Sequence, residues 1–186
     1  MEPITTLRRA VHQTGAIVAG VKPDDHGRPT PCQAWDVAAL LNHTIGGIRM
    51  FGKAARGEKL DVSLLQADPV GPDAAAAYNE AAASLQEALH LSGVLDQTWD
   101  LPFGLLPGTV AIGLATIETL QHGWDLAKAT DRRDELDPEL GEAGLEIARR
   151  LPTEQARQQG VFGPEVPCPD DAAPHDRLAA LLGRQL

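Results

Sequence analysis

Aromatic residues make up only 4 % of the 186-residue chain, with a single tyrosine. Strands draw on aromatic and β-branched side chains, whereas the alanine and leucine that are frequent here favour helices, so the shortage argues against a sheet-built domain. Cysteine is scarcer still. Cys32 and Cys168 are far apart and no CxxC occurs, which removes a structural zinc knuckle and a thioredoxin-like motif. A disulfide between them is not deducible from spacing, and a reduced, cytoplasmic protein is the expectation. Positive charge is also in short supply: 16 Lys and Arg stand against 26 Asp and Glu, a formal net charge of -10. Such a surface repels phosphate backbones and anionic lipid, so neither nucleic acid nor a membrane surface is an expected partner. No run of 18 apolar residues occurs, and the first residues, MEPITTLRRAVHQTG, lack a basic segment followed by an apolar one. Neither a transmembrane helix nor a signal peptide is therefore expected.

What the chain does have is helical periodicity. Ile4, Leu7, Val11 and Val18 share one face of a helix over about Pro3 to Val21. After the loop KPDDHGRPTP, Asp36 suits the N-cap of a second helix that runs to about Gly57. Its paired glycines, Gly46 and Gly47, lower intrinsic helicity and leave room for a neighbouring helix. Residues 58–71 read as a long connection. A third helix spans about 72–91, with Asp73 near its start and Tyr78, Leu85 and Leu89 in a stripe. SGVLDQTWDLPFGLLPG reads as a loop with a short extended piece at Thr98–Leu101. A fourth helix covers Thr109 to Thr130, and a fifth, near 138–150, carries Leu140, Gly144 and Ile147. The stretch from Pro152 is mostly loop, with a helical turn at its start, and a last short helix holds Leu178, Leu181 and Leu182. Four main amphipathic helices imply a bundle.

Among six histidines, four read as ordinary: His26 and His175 by position in a loop and at a helix start, His12 on a solvated face beside Arg8 and Arg9, and His90 among free carbonyls at a helix end. His43 and His122 differ, because each sits mid-helix among apolar neighbours. Glu118 lies one turn before His122, on the same face. An i,i+4 Glu–His pair is one reading. The other is a site: a carboxylate inside a bundle is costly to bury unpaired, and two histidines plus one carboxylate are the donor set of zinc and non-haem iron centres that keep a position open. The order Glu-x-x-x-His is not the HExxH of metalloproteases.

Three strings lie in order along almost the whole chain: TPCQAWDVAALLNHTIGG (30–47), ETLQHGWDLAKAT (118–130) and FGPEVPCPDDAAPHDRLAALLGR (162–184). They resemble the signature regions of the DinB-like metal-binding superfamily, and within it the branch related to mycothiol-dependent maleylpyruvate isomerase. The resemblance implies an all-α, DinB/YfiT-like four-helix bundle over residues 1–132, with a C-terminal extension of further short helices over 133–186 packed on it. It also implies a divalent metal held by His43, Glu118 and His122, the trio that spacing singles out. Zinc leads, and nickel, manganese and iron also accept such ligands.

Trp35, Asp36, Trp124 and Asp125 belong to the same strings. The tryptophans read as packing anchors and Asp36 as a cap, while Asp125 is near enough to His122 to stand behind it as a hydrogen-bond partner. Cys32 lies either near the site or as a small buried residue, and Cys168 reads as structural or incidental. The activity implied by the resemblance is isomerase or transferase chemistry with a low-molecular-weight thiol such as mycothiol as cosubstrate, acting on a small molecule. The alternatives are a hydrolase with a metal-activated water and a non-enzymatic metal- or small-molecule-binding bundle. The general acid and substrate anchors are not identified, and a monomer or homodimer is expected.

Overall fold

The computed structural model describes residues 2–33, 35–60, 73–151, 157 and 162–186. The first helix, α1 (Pro3–Ala19), starts where Glu2 accepts hydrogen bonds from Ile4 N and Thr5 N, with proline at its first position, where its missing N–H costs nothing. α2 (Val37–Ala55) starts at Asp36, whose carboxylate accepts from Ala39 N at 2.9 Å. α3 (Ala74–Ala88) starts in the same way at Asp73, which accepts from Ala76 N. Each of these caps satisfies a backbone donor that the helix itself leaves free. The expected long connection falls almost wholly on residues 61–72, outside the described residues.

Between α3 and the fourth helix the chain forms a two-stranded antiparallel hairpin, β1 (Thr98–Leu101) with β2 (Gly104–Pro107). The sequence reading anticipated β1 and missed β2, because GLLP shows no apolar alternation. Its inward anchor is Trp99, fully buried, with its indole N–H on Val94 O at 3.1 Å.

α4 (Gly108–Ala129) is the central element. It packs against α1, α2, α5 (Pro138–Arg150) and α6 (Pro174–Leu181). Most of its residues are buried, including Gln121, His122 and Asp125, so it lacks the single apolar stripe of a surface helix. Gly123 lets α1 come this close: a Cβ there would stand 2.4 Å from Thr14 Oγ1, which itself donates to Thr119 O at 3.0 Å. Gly47 does not act this way, since a Cβ on it would meet nothing within 4 Å.

One apolar cluster joins α1 to α4, with Leu7, Ile17, Leu40, Ile45, Tyr78, Leu85, Ile112 and Trp124 among its members. A second joins Ile117 and Leu120 of α4 to Leu140 and Leu145 of α5 and to Leu178 and Leu182. The chain is mostly helical, an all-α bundle with one short two-stranded hairpin. Among the described residues no helix is long and apolar enough to cross a membrane.

Candidate metal centre

α2 and α4 face each other in the bundle, and their facing surfaces bring His43 and Glu118 together. His43 Nε2 is 2.7 Å from Glu118 Oε1, and His122 Nε2, one turn along α4, is 3.3 Å from the same oxygen. Two imidazole nitrogens and one carboxylate oxygen, all within 4.8 Å of one another, thus converge on one point. Donors that lie ~2 Å from a common ion stand roughly 3–4 Å apart, so this set fits a divalent metal such as zinc with little rearrangement.

The environment differs across the site. The side chains of His43 and Glu118 are each 34 % exposed, whereas that of His122 is 6 % exposed. Burial pushes the Glu118 carboxyl up, but the charge and hydrogen bonds of the two imidazoles outweigh it and hold the group below the ordinary carboxylate range. Burial likewise pushes His122 down, yet the charge of Glu118 and the hydrogen bond to Asp125 raise it to about 9. The trio is thus a tightly hydrogen-bonded cluster in which one carboxylate oxygen meets both imidazoles.

His122 Nδ1 donates to Asp125 Oδ2 at 3.1 Å, which leaves Nε2 to point at Glu118. This is the carboxylate–histidine arrangement that fixes the tautomer and orientation of a metal-ligating imidazole. Asp125 has no solvent exposure and is held further by Gln121 Nε2 and by the guanidinium of Arg184.

On the other side, the indole of Trp35 stacks on His43 with centroids 4.1 Å apart and an interplanar angle of 26°, and meets the ring of His122 edge-on at 5.8 Å. The loop before α2 fixes Trp35: its N–H donates to Cys32 O, and Thr30 Oγ1 lies 2.8 Å from Trp35 O. Trp35 packs on the main apolar cluster, as a packing anchor does, and in addition forms one wall of the candidate site. Trp124 is the anchor it was read to be, 1 % exposed, with its indole N–H on Asp176 Oδ1 at 2.7 Å.

The remaining histidines stand apart. His12 and His26 are exposed, His90 lies beside Gln86 O and Arg8, and His175 donates to Asp137 O at 2.9 Å. Neither Cys32 nor Cys168 is in a disulfide among the described residues, and both are half-buried. Cys32 is close enough to Arg184 to act on it electrostatically, as is Glu118, whereas burial and nearby aspartates raise the thiol of Cys168. Arg184 was given no role from sequence. Its signal was the closing LLGR of the third string, which says nothing about where the tail returns.

The family described as the mycothiol maleylpyruvate isomerase N-terminal domain matches residues 7–127. Uncharacterized proteins from two Mycobacterium tuberculosis strains, CDC 1551 / Oshkosh and ATCC 25618 / H37Rv, are each 40 % identical over 190 residues, covering 99 % of this chain and 98 % of theirs. Among solved structures, the mycothiol-dependent maleylpyruvate isomerase superposes with a TM-score of 0.53 at 14 % identity, over 67 % of this chain and 59 % of that one. A histidine-to-alanine mutant of the mycothiol-dependent maleylpyruvate isomerase gives 0.52 at 16 % identity over the same shares. The chain thus spans under two thirds of the length of those solved isomerases, and the likeness to them is one of fold. With one family match across the bundle and relatives alike from end to end, the chain belongs to the mycothiol maleylpyruvate isomerase N-terminal domain family.

Proposed function

We propose that this protein holds a divalent metal, zinc first, on His43, Glu118 and His122, and uses a low-molecular-weight thiol of the mycothiol type for isomerase or transferase chemistry on a small molecule. The observation that carries the reading is the convergence of two Nε2 atoms and one carboxylate oxygen at a place still open to solvent on the His43 side. When bound, the ion supplies Lewis acidity that favours the thiolate over the thiol near neutral pH. The chain does the rest by position. Glu118 contributes negative charge at the centre, Asp125 keeps His122 Nε2 turned toward it, and Trp35 excludes water from one face of His43. The open edge between His43 and Glu118 is where a thiol and its substrate enter. Membership of the family supports the thiol.

The test uses the full-length chain, stripped with a chelator and then reloaded. Zinc raises the unfolding temperature and binds at one equivalent. His43→Ala loses most of that gain, and adding mycothiol to the zinc form raises the temperature again. A ligand at a hundred times its Kd stabilises by about 2.7 kcal/mol, a shift of several degrees that is easily read. No divalent metal bound above background, or equal binding by His43→Ala, sinks the metal reading. Zinc binding with no response to mycothiol sinks the thiol reading alone.

A further inference from the structure

The C-terminal tail returns to this centre through a turn that only glycine fits. After α6 the chain reverses at Gly183, where φ is +91° and a Cβ would lie 2.5 Å from Gly163 Cα. Gly163 N donates to Leu182 O and Arg184 N to Ala179 O, which fixes the turn. Arg184 is thereby aimed back at α4. Its Nε lies 3.1 and 3.3 Å from the two oxygens of Asp125, and its Nη2 lies 3.1 Å from Oδ2. The Arg184 side chain is 17 % exposed and Asp125 is fully buried, so solvent screens this pair little.

We infer that Arg184 is a positioning residue for the metal ligand His122, acting through Asp125, so that the C-terminal tail completes the centre from behind. The inference rests on the metal reading above. A buried carboxylate held by one imidazole and the Gln121 amide keeps freedom to rotate. A guanidinium gripping both oxygens removes that freedom, which a single-point ammonium cannot do. The fixed carboxylate then holds His122 with Nδ1 protonated and Nε2 turned to Glu118. Arg184 also places a positive charge near a site meant for a cation, and that effect has the opposite sign. If the guanidinium matters by orienting, its loss weakens metal binding. If it matters by charge alone, its loss tightens metal binding.

The experiment is a chelator-competition titration with Zn²⁺ and the visible spectrum with Co²⁺. Both use the full chain as wild type, Arg184→Gln, Asp125→Asn and the double variant, with folding checked by circular dichroism. Replacing partners behind a metal ligand costs 10–100-fold in affinity, so Asp125→Asn is expected in about that range and Arg184→Gln near its lower end. The double variant binds no more weakly than Asp125→Asn alone, because Arg184 acts through Asp125. The Co²⁺ bands move in each variant. Zinc affinity unchanged or tighter in Arg184→Gln, or losses that simply add in the double variant, overturn the inference. Should Arg184→Gln fail to fold, Arg184→Lys carries the same comparison: it keeps the charge without the two-point grip, so weaker binding supports positioning and unchanged binding overturns it. A wild-type chain that binds neither ion better than His43→Ala defeats the metal reading itself, and this inference with it.

Discussion

The side chain of His122 is 6 % exposed and has a carboxylate at each ring nitrogen, Glu118 at Nε2 and Asp125 at Nδ1, whereas the side chain of His43 is 34 % exposed and lies against the face of Trp35. Behind His122 the centre is therefore built from the buried charge of Asp125 and Arg184, whereas the edge formed by Glu118 and His43, with the aromatic surface of Trp35, meets solvent. Buried charge is directional and expensive to disturb, so it suits the task of holding geometry. A half-open aromatic wall is cheap to disturb and leaves an approach, so it suits the task of admitting a second molecule. That division gives the cluster a rigid back and an accessible front.

The largest break in this comparison is Asp125→Ala. It strands Arg184 and one nitrogen of His122 in a buried setting, and removing one partner of a buried pair costs about 3–5 kcal/mol. Trp35→Ala, on the open side, is expected to cost about 1–2 kcal/mol, part of the gain from burying a large side chain. Urea denaturation of the metal-free variants measures both. A Trp35→Ala loss equal to that of Asp125→Ala would show that the two sides do not differ as described.

A smaller pair sharpens the same contrast along the helices. Gly123→Ala, next to His122, drives a Cβ into Thr14 Oγ1 at 2.4 Å and is expected to cost about 1–3 kcal/mol. Gly47→Ala, one turn after His43, meets nothing within 4 Å and gains helix propensity of about 0.8–1.0 kcal/mol. Opposite signs in the denaturation midpoint are the expected result. A destabilised Gly47→Ala would mean that α2 is packed as tightly as α4.

These contrasts also mark what was legible beforehand. Asp36 was read as a cap, and the fifth helix was placed at 138–150, where α5 lies, because caps and periodicity are local signals carried by neighbouring residues. His43, Glu118 and His122 stood out because polar groups among apolar ones are locally anomalous, and the structure brings them together. Their duty as metal ligands is the proposal. Trp35 as a wall, Arg184 behind Asp125 and the second hairpin strand were not legible. Each depends on how separate segments meet: Arg184 reaches α4 only through a turn set by Gly163 and Gly183, and Gly104–Pro107 becomes a strand only by pairing with Thr98–Leu101.

The smallest expected effect concerns how the extension that carries Arg184 is fastened. His175 is 4 % exposed and donates from Nε2 to Asp137 O, while its Nδ1 is buried with no hydrogen-bond partner among the described residues. Burial lowers its pKa below the ordinary 6.5, and the Asp137 carbonyl and the charges of Asp137 and Asp176 only partly oppose this. The unfolded chain therefore takes up this proton first as pH falls. The His175 contribution is complete above about 6.5 and is lost as pH drops below that value toward the folded pKa. His122 in the metal-free protein runs the other way: raised to about 9, its contribution is full below about 6.5 and is lost as pH climbs through about 9. The metal-free chain should then lose stability on both sides of a maximum near pH 6.5, read as the urea midpoint against pH. His175→Gln keeps a donor for Asp137 O and cannot be protonated, so it should flatten the acid limb as pH falls below about 6.5 and leave the alkaline limb in place. An acid limb equally steep in His175→Gln would assign it to other groups, and the seam between α5 and α6 would then have no part in it.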